Sequence, residues 1–243
     1  MSLPRFFAPE ARPGDLLELA PEEAHHLRDV LRIREGERVF LLNGKGQEFE
    51  AEVVKAGREG VWVLPTRLSR SEPEPAFRLE ILIPLLKGGR TEFLVEKATE
   101  LGVSRIFPFV SRRAVARPSP RTLERLYRRS IQALKQCGRL WLPLLEAPAP
   151  LEELLPKTRA SGRFFAYEKG GAPLHRAFEP PPGDLALAVG PEGGFSPEEA
   201  ALLEAFDFLP LTLGPYILRA ETAALFLMSI WRYHSLIRED LRT

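Results

Sequence analysis

The chain has 243 residues, 44% of them hydrophobic, and its 34 basic and 33 acidic side chains leave a formal net charge of +1. This length and composition predict a globular protein with a full hydrophobic core and room for two domains. No stretch approaches the roughly 18 consecutive apolar residues of a membrane helix, and no signal peptide is predicted before Pro4. The single cysteine excludes internal disulfides and cysteine-based zinc sites, so we expect a cytoplasmic protein.

The small net charge hides an uneven distribution of basic residues. Residues 1–75 carry 11 basic and 14 acidic side chains, whereas residues 105–139 carry 10 basic side chains and one acidic side chain, Glu124. A dense basic stretch predicts a polyanionic partner, and nucleic acid fits it best. The alternative is an ordinary solvated helix face, but like charges at helical spacing repel each other when no acids compensate them.

Residues 1–67 are predicted to be mostly β-structure. The strand candidates are residues 6–7, 16–19, 39–42, 47–54 and 61–65. One helix is predicted to begin at Pro21 and to include residues 25–32. Several short strands in so short a segment indicate a small barrel. The polar, proline-rich residues 69–75 are predicted to form a linker.

After the linker the pattern changes to alternating strands and helices, which predicts an α/β domain with a parallel sheet. The predicted strands are residues 79–85, 106–110, 142–145, 163–167, 185–189 and 208–213. The predicted helices are residues 90–101, 121–137 and 221–238, and one more that begins after Ser196. That helix start is well marked, because Ser196 can cap it, Pro197 suits its first position and Glu199 completes a capping box.

Two glycine-containing loops follow the last two predicted strands. The first loop, residues 190–194, reads Gly-Pro-Glu-Gly-Gly, and the second begins at Leu213 and Gly214. One such loop would indicate only a tight turn, but two at the ligand-binding edge of a parallel sheet indicate a pocket. Neither loop matches the dinucleotide fingerprint or the Walker loop. A flat cationic ligand, such as an adenosine that carries a sulfonium, would suit main-chain contacts and a nearby carboxylate.

Both loops resemble those of a known family. Residues 190–196 (Gly-Pro-Glu-Gly-Gly-Phe-Ser) and 213–223 (Leu-Gly-Pro-Tyr-Ile-Leu-Arg-Ala-Glu-Thr-Ala) resemble the ribosomal small-subunit RNA uracil-N3 methyltransferase family, within the SPOUT superfamily. Further matching residues lie along nearly the whole chain, at 5–7, 25–32, 87–90, 96–103, 113 and 136–139. Two positions depart from the family pattern. Tyr216 stands where the family often has a basic residue, and Lys135 where it often has an acid.

The resemblance implies a fold and an activity. It implies a PUA-like RNA-binding β-barrel at residues 1–68, a linker at 69–76 and a SPOUT α/β methyltransferase domain with a deep trefoil knot at 77–243. It implies methylation of N3 of a uridine in 16S rRNA, in the decoding region of the small ribosomal subunit. The implied cofactor is S-adenosyl-L-methionine, and the implied assembly is a homodimer formed through the C-terminal domain, without a metal.

Candidate site residues follow from the resemblance and the two loops. Arg219 and Glu221 are the catalytic candidates, because a fixed cation would stabilise charge on the uracil oxygens and a carboxylate could orient that cation or relay a proton. The cofactor-binding candidates are Tyr167, Glu168, Gly190, Pro191, Glu192, Gly193, Gly194, Leu213, Gly214, Ile217, Leu218, Thr222 and Ala223. The RNA-binding candidates are Arg5, His26, Arg28, Arg32, Lys87, Arg90, Arg112, Arg113, Arg125, Arg128, Arg129 and Arg139.

Alternatives stay open for several of these residues. Arg219 and Glu221 would also fit a simple salt bridge at a helix start, and residues 223–231 fit either a dimer interface or the core helix of a monomer. His25 and His26 point to different helix faces and have no third ligand nearby, so we predict no metal site.

Two other functions compete with the methyltransferase. An RNA-binding module without catalysis would explain the barrel and the basic stretch but not the two glycine loops. A nucleotide-dependent α/β enzyme would need fingerprints that the sequence lacks. Cys137 is predicted to be a buried residue at a helix end, because methylation at N3 needs no cysteine nucleophile.

Overall fold

The computed structural model describes residues 3–113, 116–174 and 184–240, except for the side chains of residues 239 and 240. The chain divides into two compact units. The first unit contains the residues up to Glu74 together with Ile131–Leu142, and the second contains Pro75–Ser130 and the residues from Pro143 onward. Among the described residues, no helix is long and apolar enough to cross a membrane.

The first unit is built on a five-stranded sheet. Its strands are β1 (Arg5–Phe7), β2 (Leu17–Glu18), β3 (Arg38–Leu42), β4 (Gln47–Gly57) and β5 (Gly60–Ser71). They are arranged in the order β1-β3-β4-β5-β2, in which β1 is parallel to β3 and the other neighbours are antiparallel. Val39, Leu41, Val61 and Val63 are fully buried, which is the alternation expected of strands with one face in a core.

Two predicted boundaries in this unit need correction. Helix α1 (Pro21–His25) continues as a π-helical turn over His26–Val30. The predicted helix is therefore too long, because Arg32 has a φ of +55°, which is outside the right-handed helical region. The predicted linker also begins too early, because β5 continues through Ser71 and pairs with β4 beyond a register shift.

Residues 131–142 belong to the first unit, although the predicted division placed them in the second domain. Leu134 and Leu140 form a buried cluster with Phe7 and Leu42, and Ile131 packs against it. This grouping depends on hydrophobic contacts between segments that are far apart in the sequence, which no local pattern reveals.

The second unit is built on a seven-stranded sheet in which every pairing is parallel. Its strands are β6 (Leu79–Pro84), β7 (Arg105–Phe109), β8 (Leu144–Leu145), β9 (Gly162–Ala166), β10 (Ala172–Pro173), β11 (Leu185–Val189) and β12 (Leu209–Thr212). Their order is β10-β12-β9-β11-β6-β7-β8. The central strands β6 and β11 are buried throughout, which explains why their sequences are apolar at every position except Glu80. The predicted α/β domain with a parallel sheet is confirmed.

Helices cover both faces of this sheet. They are α2 (Arg90–Glu100), α3 (Thr122–Cys137), α4 (Leu151–Leu154) with a 3-10 turn over Leu155–Lys157, α5 (Pro197–Ala205) and α6 (Ala220–Asp240). One core contains Leu187 of β11 with residues of α2 and α6. The other contains Ala186 and Ala188 of β11 with residues of α4 and α5. Successive residues of the strand thus enter opposite cores.

The ends of two helices test the sequence expectations directly. The capping box of α5 is confirmed, because Ser196 Oγ accepts the Glu199 amide at 3.2 Å and Glu199 Oε2 accepts the Ser196 amide at 2.8 Å. Cys137 does end α3, but it is exposed rather than buried. In the last turn of α3, the apolar face with Leu134 packs into the core of the first unit. The thiol of Cys137 lies outside this core and is exposed to solvent.

Candidate functional site

A cavity of about 260 Å³ lies at the carboxyl-terminal edge of the second unit's sheet. Its walls come from the ends of β9, β11 and β12 and from the first turn of α6. The loops after β11 and β12 meet here because β9 lies between these two strands and all three run parallel. The expectation that both glycine loops open at the same edge is confirmed.

Most of the predicted cofactor-binding residues line this cavity. Those in its wall are Tyr167, Glu168, Gly190, Pro191, Glu192, Gly193, Gly194, Leu213, Gly214, Ile217, Leu218 and Ala223. Thr222 is exposed and does not line the cavity. Ala220 and Ala223, three residues apart on α6, face it instead, and the helical rotation turns Thr222 away.

The wall also contains residues outside the predicted cofactor-binding set. They are Ala166, Val189, Leu211, Thr212, Pro215, Tyr216 and Ala220. Several of them are the last residues of β9, β11 and β12. The predicted strand ends were a usable signal, because the final residues of parallel strands border a site at the carboxyl edge.

The backbone of the first glycine loop requires glycine at one position in particular. Gly194 has a φ of +66°, and its amide donates to the carbonyl oxygen of Pro191 at 2.8 Å. A Cβ at this position would lie 2.5 Å from Glu168 Oε1, so a side chain would also displace that carboxylate. Gly214 has a φ of +116°, but a Cβ there would meet nothing within 4 Å. Its requirement for glycine is therefore conformational rather than steric.

The two catalytic candidates do not contact each other. Glu221 Oε1 lies 3.2 Å from Nη1 of Arg90, and Arg219 has no side-chain hydrogen bond or ion pair within the described part of the chain. The expected pairing of Arg219 with Glu221 is therefore wrong, both as an orienting contact and as a simple salt bridge. Residues two apart at a helix start point in different directions.

Arg219 itself is exposed beside the cavity. It does not line the wall, although its neighbours Leu218 and Ala220 do. Its charge contributes to the lowered pKa of Glu192, after the larger effects of the hydrogen bond and the charge of Arg90. The guanidinium of Arg219 thus acts on a loop that lines the cavity, and it has no ion pair with any residue that the structure describes.

Comparison with known proteins places the chain in a family. Residues 72–232 match the family described as RNA methyltransferase domain, and residues 19–66 match the one described as RNA methyltransferase PUA domain. A ribosomal RNA small subunit methyltransferase E from Synechocystis is 30% identical over 221 residues, which are 89% of this chain and 72% of the relative. The chain belongs to the ribosomal RNA small subunit methyltransferase E family.

Solved structures agree with this family membership. A methyltransferase from Legionella pneumophila in complex with the bound cofactor SAM is 32% identical, with a TM-score of 0.87 over 96% of this chain and 98% of that one. A ribosomal RNA small subunit methyltransferase E from Neisseria gonorrhoeae bound to S-adenosyl methionine is 28% identical, with a TM-score of 0.85 and the same coverage. The resemblance noted from the loop sequences is confirmed, together with an α/β fold that includes a PUA domain.

In this family member, the basic stretch of α3 has acidic partners. Arg125 pairs with Glu92, and Arg129 Nη1 lies 3.3 Å from Glu96 Oε2, so both acids come from α2. Arg128 pairs with Glu124 at 2.6 Å along α3 itself. The expectation that the stretch lacks compensating acids is wrong, because residues distant in sequence supply them. The three arginine side chains remain 44–59% exposed.

Four further RNA-binding candidates of the second unit lie in its loops or at the start of α2. Arg113 Nη1 donates to the Gly193 carbonyl oxygen at 2.9 Å, and Arg112 pairs with Glu152 at 3.1 Å. Lys87 is exposed, whereas Arg90 is engaged by Glu192 and Glu221. Arg90 and Arg113 thus contact the glycine loop or the helix beside it.

The remaining candidates belong to the first unit and are Arg5, His26, Arg28, Arg32 and Arg139. Arg5 pairs with Glu48 at 2.9 Å. Arg28 donates a hydrogen bond to Asp29. This bond is the main reason that the pKa of Asp29 is lowered to about 2. Burial, followed by the charge of Lys135, lowers the pKa of His26. Within the described residues, no three His, Cys, Asp or Glu side chains converge as they would around a metal ion.

Proposed function

We propose that the protein transfers a methyl group from S-adenosyl-L-methionine to N3 of a uridine in the 16S rRNA of the small ribosomal subunit. The observation that carries the proposal is the cavity in which two glycine loops meet at the carboxyl edge of the parallel sheet. Relatives named ribosomal RNA small subunit methyltransferase E, and similar structures that hold SAM, support it.

The wall of the cavity suits such a cofactor. Main-chain groups of the two loops offer donors and acceptors, and side chains such as Val189 and Leu218 offer an apolar surface for an adenine ring. Glu168 makes no side-chain hydrogen bond or ion pair with any described residue, so both of its oxygens can accept from ligand hydroxyl or ammonium groups. The predicted cofactor-binding residues other than Thr222 line the cavity, and they are our proposal for the residues that hold the ligand.

The remaining chemistry falls to residues beside the cavity. Bound there, S-adenosyl-L-methionine would supply an electrophilic methyl group. Uracil N3 becomes nucleophilic only when its proton leaves, and the resulting charge spreads over N3 and the flanking carbonyl oxygens. Arg219 lies beside the cavity without an ion-pair partner among the described residues, and it stabilises that charge as it develops. Glu221 keeps one oxygen, Oε2, that is buried and has no partner among the described residues, which suits the proposed proton relay.

RNA binding completes the proposed activity. The first unit, as a PUA-like barrel, binds RNA. The exposed arginines of α3 contact RNA phosphates, and the protein acts in the cytoplasm. The methyltransferase domain contains the deep trefoil knot of the SPOUT superfamily. We propose that the RNA-binding domain is built on residues 1–68 and the methyltransferase domain on residues 77–243, apart from residues 131–142, which belong to the first unit.

The homodimer forms through α6. Phe226, Tyr233 and Ile237 are 42%, 63% and 40% exposed, and with the half-buried Ile230 they follow one face of the helix. An apolar stripe of this length on a long helix supports a partner of the same kind.

Calorimetry and RNA analysis test the function together. The protein should bind S-adenosyl-L-methionine and should not bind nicotinamide dinucleotides. Mass spectrometry should show that 16S rRNA from a deletion strain lacks one N3-methyluridine. Treatment of this RNA with the purified protein should restore the modification. Cofactor binding without any RNA methylation would favour a binding module, and no cofactor binding would refute the proposal.

A further inference from the structure

Arg90 joins three segments at the sheet edge that carries the cavity. It is the first residue of α2, and its Nε donates to the carbonyl oxygen of Lys87 at 3.2 Å. Its Nη1 lies 2.6 Å from Glu192 Oε1 and 3.2 Å from Glu221 Oε1. Glu192 belongs to the first glycine loop, and Glu221 to the first turn of α6. Both carboxylates therefore come from elements that line the cavity.

The charges of this cluster argue against a phosphate contact. The Arg90 guanidinium faces two carboxylates, so these three groups are negative overall when all are ionised, and Arg219 acts on Glu192 only through the weaker of the two arginine charges. Such a cluster repels a phosphate group rather than attracting it. The hydrogen bond from Arg90 lowers the pKa of Glu192. The same bond is the main reason that the pKa of Arg90 is raised. Each partner thus keeps the other ionised.

The environment of Glu221 makes the cation necessary. Its side chain is 15% exposed, and Oε2 is buried without a hydrogen-bond partner among the described residues. A largely buried carboxylate that loses its cation becomes an uncompensated charge. Without Arg90, Glu192 and Glu221 would also repel each other. Loss of the guanidinium should therefore drive the glycine loop and α6 apart.

We propose that Arg90 is a positioning residue that holds residues 190–194 against the first turn of α6 and so keeps the cofactor cavity in its binding shape. The identity of the ligand rests on the proposed function, whereas the loop-holding contact does not. This role is an alternative to the expectation that Arg90 binds RNA. Arg219 has no such partners within the described ranges, so its guanidinium is available to the substrate.

Hydrogen exchange on the ligand-free protein tests the loop-holding contact. Local opening of residues 190–194 would expose the Gly194 amide, which donates to Pro191. Arg90→Ala should speed exchange in this loop severalfold. Lys157→Ala is the matched control, because it removes a cation from an exposed pair with Glu146 on the segment that precedes β9. Unchanged exchange in a folded Arg90→Ala protein would overturn the proposal, and Glu192→Gln carries the same test if that variant does not fold.

Cofactor binding tests the consequence. Arg90→Ala should weaken binding of S-adenosyl-L-methionine by about tenfold, the effect of losing one good charge-assisted hydrogen bond. Arg90→Lys should recover only part of the loss, because an ammonium cannot reproduce the planar fork. The cofactor KM should rise with little change in kcat. In a double-mutant cycle, Arg90→Ala and Glu192→Gln should together cost less than the sum of their separate effects.

RNA binding separates this role from the alternative. RNA affinity at saturating cofactor should not change in Arg90→Ala. If RNA affinity falls while cofactor affinity holds, Arg90 is an RNA contact and the proposal is wrong. If the wild-type protein does not bind the cofactor at all, the proposed function fails, and hydrogen exchange still decides whether Arg90 holds the loop.

Discussion

Lys135 and Glu23 form an ion pair in which Nζ lies 2.5 Å from Oε1. The two side chains are only 13% and 11% exposed, and the second oxygen of Glu23 accepts the Phe7 amide at 2.9 Å. The pair thus connects the last turn of α3 with α1 and β1 inside the first unit. Glu23 is the residue that accommodates the Lys135 cation in this chain.

This pair predicts a stability effect. Lys135→Ala should lower the free energy of unfolding by roughly 3 kcal/mol, because Glu23 would remain mostly buried without its cation. Urea unfolding measures the loss. Lys55→Ala is the control, because it breaks a half-exposed pair with Glu59 and should cost about 1 kcal/mol or less. Equal losses in the two variants would show that the burial of the Lys135 pair has no energetic consequence.

A second prediction concerns Gly194. Gly194→Val should weaken S-adenosyl-L-methionine binding by roughly tenfold or more, because valine resists the positive φ and its Cβ would displace Glu168 from the cavity wall. Calorimetry measures the affinity, and circular dichroism establishes that the variant is folded. Gly36→Val is a control with a φ of +82° and no contact for its Cβ. Wild-type cofactor affinity in a folded Gly194→Val protein would refute the pocket.

Arg219 is predicted to act on the rate rather than on cofactor affinity. Arg219→Ala should reduce the single-turnover rate at saturating cofactor and RNA by about 100-fold, equivalent to roughly 3 kcal/mol of lost charge stabilisation. Arg219→Lys should recover little of this rate, because a point charge cannot replace the planar guanidinium. The cofactor dissociation constant, measured separately, should change much less. A saturated variant that reacts at the wild-type rate would make Arg219 a binding residue only.

The arginines of α3 are predicted to contact phosphates even though they have acidic partners. Replacing Arg125, Arg128 and Arg129 together by Ala should weaken RNA binding and make the salt dependence shallower, by roughly one unit of slope for each phosphate that the variant no longer neutralises. Binding titrations at several salt concentrations measure this slope. Lys157→Ala removes an exposed cation elsewhere and should leave the slope unchanged. The same slope in the triple variant would mean that this face of α3 does not meet RNA.

The proposed dimer gives a fifth prediction. Phe226→Asp with Tyr233→Asp places two charges on the apolar stripe of α6 and should convert a dimer into a monomer, which light scattering detects as half the mass. Leu144→Asp puts the same charge on a residue of edge strand β8 that is 55% exposed, and it should leave the mass unchanged. A wild-type monomer, or a dimer that survives both substitutions, would exclude this interface.

The sequence by itself determined the local structure and the position of the cavity. The Ser196–Glu199 capping box and the apolar strand before residues 190–194 depend on groups only a few residues apart, so their patterns are visible in the chain. Parallel strands must bring the loops after them to one edge, so two glycine loops were enough to predict the pocket.

The tertiary structure alone decided which charges meet. Arg90 forms ion pairs with Glu192 and Glu221, which are more than 100 residues away in the sequence. Arg125 forms an ion pair with Glu92 on a neighbouring helix. Such pairs depend on how helices and loops pack, and no local periodicity encodes that. Packing also places Ile131–Leu142 in the first unit. Leu134 is buried against Phe7 and Leu42 of that unit, although these residues are distant from it in the sequence.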